Sequence, residues 1–233
     1  IFPVLNTIFE KIYGESPYKS PTDMGVNMAG NCICDDEACR EASKQEIIRR
    51  YFDALNALAK GSTSEKEAQK IELLMNMAGI TVTDRKVVIK ALERAKETDG
   101  PAAALELRDG RIITGKTTNL LGASAALLLN VLKVLAGIDH ETHIISPESI
   151  EPIQKLKVDY LKSKNPRLHT DEVLIALSAS AATNPQARLA LSQLPELAGC
   201  QAHTSVMLSD VDIKIFKKLE VQLTSEAVYE HAL

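Results

Sequence analysis

Apolar residues recur every three or four positions through the first hundred residues of the chain, which is the spacing of amphipathic helices. One such face carries Ile48 and Phe52, another carries Leu74 and Ala78, and a third carries Val88. Glycine residues separate these segments, as is common where helices end. We therefore expect a helical subdomain over residues 1–100.

The pattern changes after residue 101, where short apolar runs alternate with helical ones. Asp109-Gly110 lies between apolar pairs that include Leu105 and Ile112, which predicts a β-hairpin over residues 103–115. Helix, strand at 142–145, helices, strand within 201–208, short helix and a last strand at 220–224 are expected to follow. Strands separated by helices favour parallel pairing with right-handed crossovers. We therefore expect an α/β subdomain with a mixed sheet over residues 101–233.

The most apolar segment, residues 124–136, is interrupted only by Asn130 and Lys133. A helix that is apolar nearly all round is usually buried on several sides. This segment is too short to span a bilayer, which takes about 20 apolar residues. It is therefore predicted to be the central helix of the α/β subdomain.

The stretch before this helix matches the spacing of a phosphate-binding P-loop at Gly110, Gly115, Lys116 and Thr117. The residues that would form the phosphate cradle are predicted to be strand, so a true P-loop is disfavoured. Lys116 and Thr117 are still expected at a helix N-terminus, where free N–H groups favour anions. The alternative, which we favour, is that Thr118 or the next residue only caps the helix.

Composition and charge exclude several functional classes. The chain has 233 residues, 45% apolar and 25% charged, with a net charge of −4 and no tryptophan. An acidic chain without a dense Lys/Arg block or aromatic platform is not expected to bind nucleic acid. No signal peptide or membrane segment is recognisable, so we expect a soluble, cytoplasmic protein without membrane contact.

No familiar catalytic or metal motif is present. Cys32, Cys34, Cys39 and Cys200 lack the paired spacing of structural zinc sites. The hairpin–helix–strand–helix–strand order is that of cytidine-deaminase-like sheets. Zinc deaminases need His-x-Glu and Pro-Cys-x-x-Cys at two helix starts, but the corresponding positions here read Lys-Thr-Thr (116–118) and Ser-Pro-Glu-Ser (146–149). No zinc is expected, and no other cofactor is evident.

The strongest candidate ligand site is the loop that precedes a predicted helix at Thr170. It supplies an amide (Asn165), a guanidinium suited to phosphate or carboxylate (Arg167) and an imidazole (His169). The alternative is that Arg167 pairs with a nearby acid and His169 caps the turn. His203, at the start of a predicted strand, is a weaker candidate.

Residues 14–31 form a long polar segment that contains Asp23 and Asn27. Loops of this length in compact domains are often functional. The alternative is a surface connector with a turn at Asp23.

Five segments carry a family resemblance: SPTDMGVNMAG (20–30), EASKQEIIRRY (41–51), GKTTNLLGASAALLLN (115–130), NPRLHTDEVLIAL (165–177) and AHTSVMLS (202–209). They resemble the C-terminal half of the bacterial family called domain of unknown function 1846, or uncharacterised protein family 0371. The resemblance implies a missing N-terminal half with its own Gly-rich, phosphate-binding-like segment. It also implies a helical subdomain followed by a three-layer, deaminase-like α/β sandwich without zinc. The helical start at Ile1 instead of Met likewise predicts a fragment.

We therefore expect the C-terminal part of a larger cytosolic protein that helps bind a small anionic ligand, such as a nucleotide or phosphorylated metabolite. The candidate ligand-binding residues are Arg167, His169, Lys116, Thr117, Asn165, Asp23 and Asn27. Whether a reaction follows is left open. The alternative is a non-catalytic assembly module that packs against the missing N-terminal half or forms a homo-oligomer.

Overall fold

The computed structural model describes residues 1–18 and 35–230. The chain divides into two compact units. One consists of Ile1–Tyr51 and Glu65–Asp84, and the other of Phe52–Ser64 and Arg85–Leu233. The subdomain division expected at residue 100 stays a prediction.

The described part of the first unit is helical, as its apolar spacing predicts. It contains α1 (Phe2–Tyr13), the larger part of α2 (Asp36–Ala59), α3 (Glu65–Ala78) and a 3-10 turn at Val82–Asp84. Gly14 ends α1 in the left-handed conformation, with φ of 85°, which a glycine adopts without steric cost. Glu65 and Glu67 lie in the first turn of α3, where the helix dipole favours acids.

The second unit combines helices with a sheet. Its further elements are α4 (Lys86–Thr98), β1 (Ala102–Glu106), β2 (Ile112–Lys116), α5 (Ala123–Leu135), α6 (Pro147–Lys155), a π-helical turn (Leu156–Tyr160), α7 (Thr170–Ser180), α8 (Pro185–Leu191), a 3-10 turn (Leu194–Leu197), β3 (Gln201–Thr204), α9 (Asp210–Lys218) and β4 (Gln222–Ser225).

These four strands form one mixed sheet in the order β2-β1-β3-β4. β1 pairs antiparallel with β2 and with β3, while β3 and β4 are parallel. The predicted hairpin, mixed sheet and α/β class are therefore confirmed. The deaminase-like topology and the three-layer sandwich stay predictions.

The strand expected at residues 142–145 is wrong. These residues form an irregular segment outside the sheet, although Ile144 and Ile145 are buried in the main hydrophobic core. A short apolar run indicates burial, and it does not by itself distinguish a strand from an irregular segment packed on the core.

The predicted central helix is α5, and Leu127, Leu128, Val131 and Leu132 on it are fully buried. Gly115 lets β2 approach α5 closely, because a Cβ atom there would lie 2.2 Å from the backbone nitrogen of Leu127. No helix in the described part of the chain has both the length and the hydropathy needed to cross a membrane.

The start of α5 differs from the prediction. Lys116 is the last residue of β2, and α5 begins at Ala123 with Gly122 as its N-cap. Thr118 does not cap the helix, because its Oγ1 accepts hydrogen bonds from the backbone N–H groups of Leu120 and Leu121 instead. Residues 117–122 therefore form a connecting turn between strand and helix.

Candidate functional site

A small cavity of about 70 Å³ lies where α5, α7 and α9 begin. Its lining includes Thr117, Gly122, Ser124, Asn165, Arg167, His169, Ser209, Asp212 and Glu230. The structure thus brings together four of the predicted site residues, namely those at positions 117, 165, 167 and 169. Helix N-termini favour anions because their first N–H groups lack partners within the helix and the helix dipole is positive there.

The N-terminus of α5 has no side-chain cap, since its N-cap is Gly122. Ser124, in the first turn, is 3% exposed and lines the cavity. No described residue forms a hydrogen bond with its hydroxyl group. The starts of the other two helices are occupied: the Asp212 carboxylate accepts the N–H of Thr170 at 2.9 Å on α7, and Ser209 caps α9.

His169 and Asp212 form the central polar pair of the cavity. Nδ1 of His169 lies 2.9 Å from Oδ2 of Asp212, which is almost fully buried. The Asp212 carboxylate also accepts hydrogen bonds from the hydroxyls of Thr170 and Ser209, each at 2.8 Å. The imidazole is thereby fixed in orientation, and Nε2 has no hydrogen-bond partner in the described part of the chain.

The pKa values of the two groups move apart. Burial alone would raise the pKa of Asp212, but the hydrogen bonds from His169, Thr170 and Ser209 outweigh burial and lower it to about 2. The hydrogen bond to Asp212 raises the pKa of His169 above its ordinary value, against the opposing effect of burial. The pair therefore favours a carboxylate beside an imidazolium.

Arg167 lies on the cavity wall with its Nη1 2.5 Å from Oε1 of Glu230. The sequence-based alternative, pairing with an acid, is thus present in the structure. Asn165 has a local role, because its Oδ1 accepts the N–H of Arg167 at 3.1 Å and forms the turn. Behind this loop, Lys157 donates to the carbonyl of Arg167 at 2.6 Å and to Glu172 at 2.8 Å.

Of the three remaining predicted site residues, one lines a different cavity and two fall outside the described residues. Lys116 lines a second, larger cavity of about 910 Å³. Asp23 and Asn27 lie outside the described residues, as do Cys32 and Cys34. Within the described ranges, no group of three His, Cys, Asp or Glu side chains is arranged to hold a metal ion.

Sequence reasoning missed three residues of the cavity. The sequence patterns assign no site role to Asp212 or Glu230, and they place Ser124 only within the apolar run at residues 124–136. An acid in the first turn of a helix has a local explanation. The sequence therefore does not indicate that its carboxylate accepts hydrogen bonds from another helix. His203, the weaker candidate, is fully buried within β3, where its Nδ1 lies 2.8 Å from Oγ1 of Thr224.

Two profiles of one known protein family match nearly the whole chain. The profile described as "Domain of unknown function DUF1846, C-terminal" matches residues 83–233, and the corresponding N-terminal profile matches residues 1–79. The chain belongs to the DUF1846 family. The expectation that the whole chain corresponds to the C-terminal half is therefore corrected, since the first 79 residues match the family's N-terminal profile.

DUF1846 relatives in bacteria are similar over nearly the whole chain. The UPF0371 protein cu0538 of Corynebacterium urealyticum is 58% identical over 98% of this chain and 46% of its own length. The UPF0371 protein CE2832 of Corynebacterium efficiens is 56% identical over 99% of the chain and 46% of its own length. The UPF0371 protein str1377 of Streptococcus thermophilus is 51% identical, with coverage of 99% and 47%. The chain thus spans about half the length of these relatives.

Proposed function

We propose that the small cavity binds the anionic group of a small ligand, a phosphate or a carboxylate. The observation that carries this proposal is the uncapped start of α5, where Ser124 lines the same cavity as Arg167 and His169. Ser124 is a buried residue, and its hydroxyl has no hydrogen-bond partner among the described residues. Free N–H groups, a guanidinium and an imidazolium together form a strong anion site. The Ser124 hydroxyl can donate a further hydrogen bond to the anion.

The volume of about 70 Å³ limits what enters the cavity. A single water molecule needs about 10–15 Å³ by the same measure, so the cavity has room for a few water molecules. A phosphate or carboxylate group fits this size and a whole nucleotide does not. The remainder of the ligand would therefore lie outside the cavity, in contact with other parts of a longer family member or with solvent.

Glu230 acts in this proposal as an internal competitor. Its carboxylate pairs with Arg167 at the cavity wall, which shows the kind of oxygen ligand that this guanidinium accepts. A bound anion would replace that carboxylate on Arg167. Replacing Glu230 by glutamine is therefore expected to strengthen anion binding, since the competing charge is removed.

His169 contributes positive charge while it is protonated. Because the hydrogen bond to Asp212 raises its pKa, the imidazolium persists to higher pH than in an ordinary histidine. Anion affinity is expected to fall as the pH rises through that raised value. Its Nε2 is also the group that would give or take a proton if the bound ligand reacts.

The direct experiment is calorimetric titration of the chain with inorganic phosphate, followed by thermal-shift screening of nucleotides, phosphorylated metabolites and dicarboxylates. At a hundred times the dissociation constant, a ligand adds roughly 2.7 kcal/mol to the free energy of unfolding. Arg167→Gln should abolish the binding. Arg111→Gln is the matched control, because Arg111 also pairs with a carboxylate, Asp109, at 2.7 Å, and it does not line the cavity. Equal phosphate affinity in wild type and Arg167→Gln would contradict the proposal.

We further propose that this chain acts as part of a longer cytoplasmic protein, as its relatives' lengths suggest. The remaining half would then contact the body of the ligand. A comparison of phosphate and nucleotide affinities between this chain and a full-length relative tests this idea. Equal affinity for whole nucleotides in both would argue against a contribution from the additional half.

A second candidate function, assembly, rests on a different observation. Val4, Ile8 and Ile12, spaced one helical turn apart on α1, are all exposed. We propose that this face packs against a second copy of the chain. Light scattering should then give a dimer mass that Ile8→Lys reduces to the monomer mass. A monomer in the wild type at high concentration would contradict it.

A further inference from the structure

The larger cavity is separate from the proposed anion site. Its walls come from β2, the inner side of α5, residues 118–121 and residues 140–150, with Arg94 from α4. None of its lining residues also lines the small cavity. Its volume of about 910 Å³ lies within the range of about 300–1,000 Å³ that is usual for small-molecule sites.

Branched aliphatic side chains make up nine of its nineteen lining residues, among them Ile113 on β2, Leu129 on α5 and Ile145. No Phe, Tyr or Trp is among the described lining residues, so the imidazoles of His140 and His143 are the only described rings on this wall. A lining of this kind suits a flexible hydrocarbon chain, whose burial is favoured in proportion to the apolar area removed from water.

The polar groups of the same wall are predominantly basic. Arg94, Lys116, Lys133, His140 and His143 line the cavity, and no described lining residue is an acid. This is opposite to the net charge of −4 for the whole chain. The wall is therefore complementary to an anion. Its basic character could not be expected from the net negative charge of the chain.

Arg94 and Lys133 already form polar contacts with described residues, whereas Lys116 forms no salt bridge with one. Nη1 of Arg94 pairs with Glu97 at 3.1 Å, but its Nε is buried without a hydrogen-bond partner among the described residues. Nζ of Lys133 donates to the backbone carbonyl of His140 at 2.7 Å. Lys116 is exposed on this wall and forms no salt bridge with a described residue.

The charges near Lys133 do not cancel this preference. Asp139 and Glu141 interact with Lys133 electrostatically, and burial nevertheless lowers the pKa of the Lys133 ammonium. Neither acid lines the cavity. An anionic head group on this wall would therefore meet the Lys116 ammonium, which pairs with no described carboxylate, whereas the Arg94 guanidinium already pairs with Glu97.

We infer that this cavity is a binding site for an amphipathic anion: a small molecule with an unbranched aliphatic chain and a carboxylate head group. The chain would lie along the aliphatic wall between β2 and α5. The carboxylate would contact Lys116 and the neighbouring basic groups. This inference does not depend on the small cavity or on the function proposed for it.

Decanoate, below the concentration at which it forms micelles, is the probe. Calorimetric titration of the whole chain is expected to show saturable binding with one site, weaker binding of hexanoate because less apolar area is buried, and weaker binding of the uncharged decanol. Lys116→Gln should weaken decanoate binding roughly tenfold, the usual scale for losing one charged hydrogen bond. Lys214→Gln is the control, because Lys214 is exposed on α9 and does not line the cavity.

A second variant tests the aliphatic wall without changing charge. Ile113→Trp would fill the cavity between β2 and α5 and should weaken decanoate binding at least tenfold. Leu189→Trp, at an exposed position of α8, should leave it unchanged. Thermal melts of all four variants establish that they are folded before binding is compared.

Three results would overturn the inference. One is the absence of saturable decanoate binding, and another is equal affinity for decanoate and decanol. The third is loss of decanoate binding in Arg167→Gln or in saturating phosphate, because the fatty acid would then occupy the small cavity. Unchanged decanoate binding under those two conditions supports two independent sites.

Discussion

Nδ1 of His169 lies 2.9 Å from Oδ2 of Asp212, and the two residues are 43 positions apart in the sequence. His169 precedes α7, whereas Asp212 lies in the first turn of α9. One carboxylate therefore accepts hydrogen bonds from the starts of two helices and orients an imidazole toward the cavity. The same contact links the starts of α7 and α9 and orients a side chain of the candidate site.

The first prediction concerns the titration of His169. Because Asp212 raises its pKa, NMR of the His169 ring should give a value above the ordinary 6.5, and Asp212→Asn should lower it. The stabilisation that this shift provides is fully present below the unfolded pKa and is lost as pH rises through the folded pKa. Asp210→Asn is the control, two positions away and exposed. An unchanged His169 pKa in Asp212→Asn would refute the coupling.

His203 should titrate in the opposite direction. Burial lowers its pKa, although the hydrogen bond to Glu226 opposes this effect. Its neutral form is favoured in the folded state, so its contribution to stability is present above the ordinary pKa and is lost as pH falls below it. NMR at pH 6.5 is expected to show His203 mostly neutral and His169 mostly protonated. Glu226→Gln should lower the His203 pKa further, and a value above 6.5 in the wild type would contradict the account.

Arg85 should be the most sensitive charged position in the second unit. It is 1% exposed and donates hydrogen bonds to Gln201, to the carbonyls of Ala202 and Gln222, and to Thr224. Arg85→Met removes these hydrogen bonds, and each acceptor then left without a partner and out of reach of water costs roughly 1–3 kcal/mol. The Ala202 carbonyl keeps one donor, the hydroxyl of Thr224.

Urea denaturation of Arg85→Met is thus expected to show a loss of about 2–4 kcal/mol in the free energy of unfolding. Lys86→Met, at the adjacent exposed position, should change it by less than about 0.5 kcal/mol. A loss in Arg85→Met as small as in this control would mean that the hydrogen bonds from the guanidinium to β3 and β4 contribute little to stability.

Much of the second unit could be predicted from local patterns. The hairpin of β1 and β2 and the burial of α5 follow from Asp109-Gly110 and from an apolar run with few polar breaks. Ile144 and Ile145 show the limit, because apolar character predicts burial and does not decide whether the backbone pairs in a sheet.

The candidate site was predictable only in part, for a related reason. Arg167 and His169 are adjacent in the sequence to the start of α7, so their placement beside a helix N-terminus follows from local rules. Their position near the uncapped start of α5 depends on tertiary packing. Asp212, Ser124 and Glu230 reach the same cavity through tertiary packing. The spacing of these three residues in the sequence does not indicate that they meet in one cavity. Lys116 was assigned to a helix start that begins seven residues later, at Ala123, and it consequently lines the other cavity.

Two glycines give a matched test of the packing between β2 and α5. A Cβ at Gly115 would lie 2.2 Å from the backbone nitrogen of Leu127, whereas one at Gly110 meets nothing within 4 Å and only has to tolerate a φ of 83°. Gly110→Ala should cost about 1–2 kcal/mol. Gly115→Ala should cost more than about 3 kcal/mol, because a strand or helix backbone must move. Equal melting temperatures for the two variants would contradict this packing.

The most direct test of the anion site is an NMR titration of the ¹⁵N-labelled chain with inorganic phosphate. The account predicts saturable shifts of the backbone amides of Ala123, Ser124 and Ala125 at the start of α5, together with the Arg167 side chain, and loss of these shifts in Arg167→Gln. If phosphate saturates the protein while these three amides stay unperturbed, or if it produces no saturable shift at all, the cavity at the starts of the helices is not an anion-binding site.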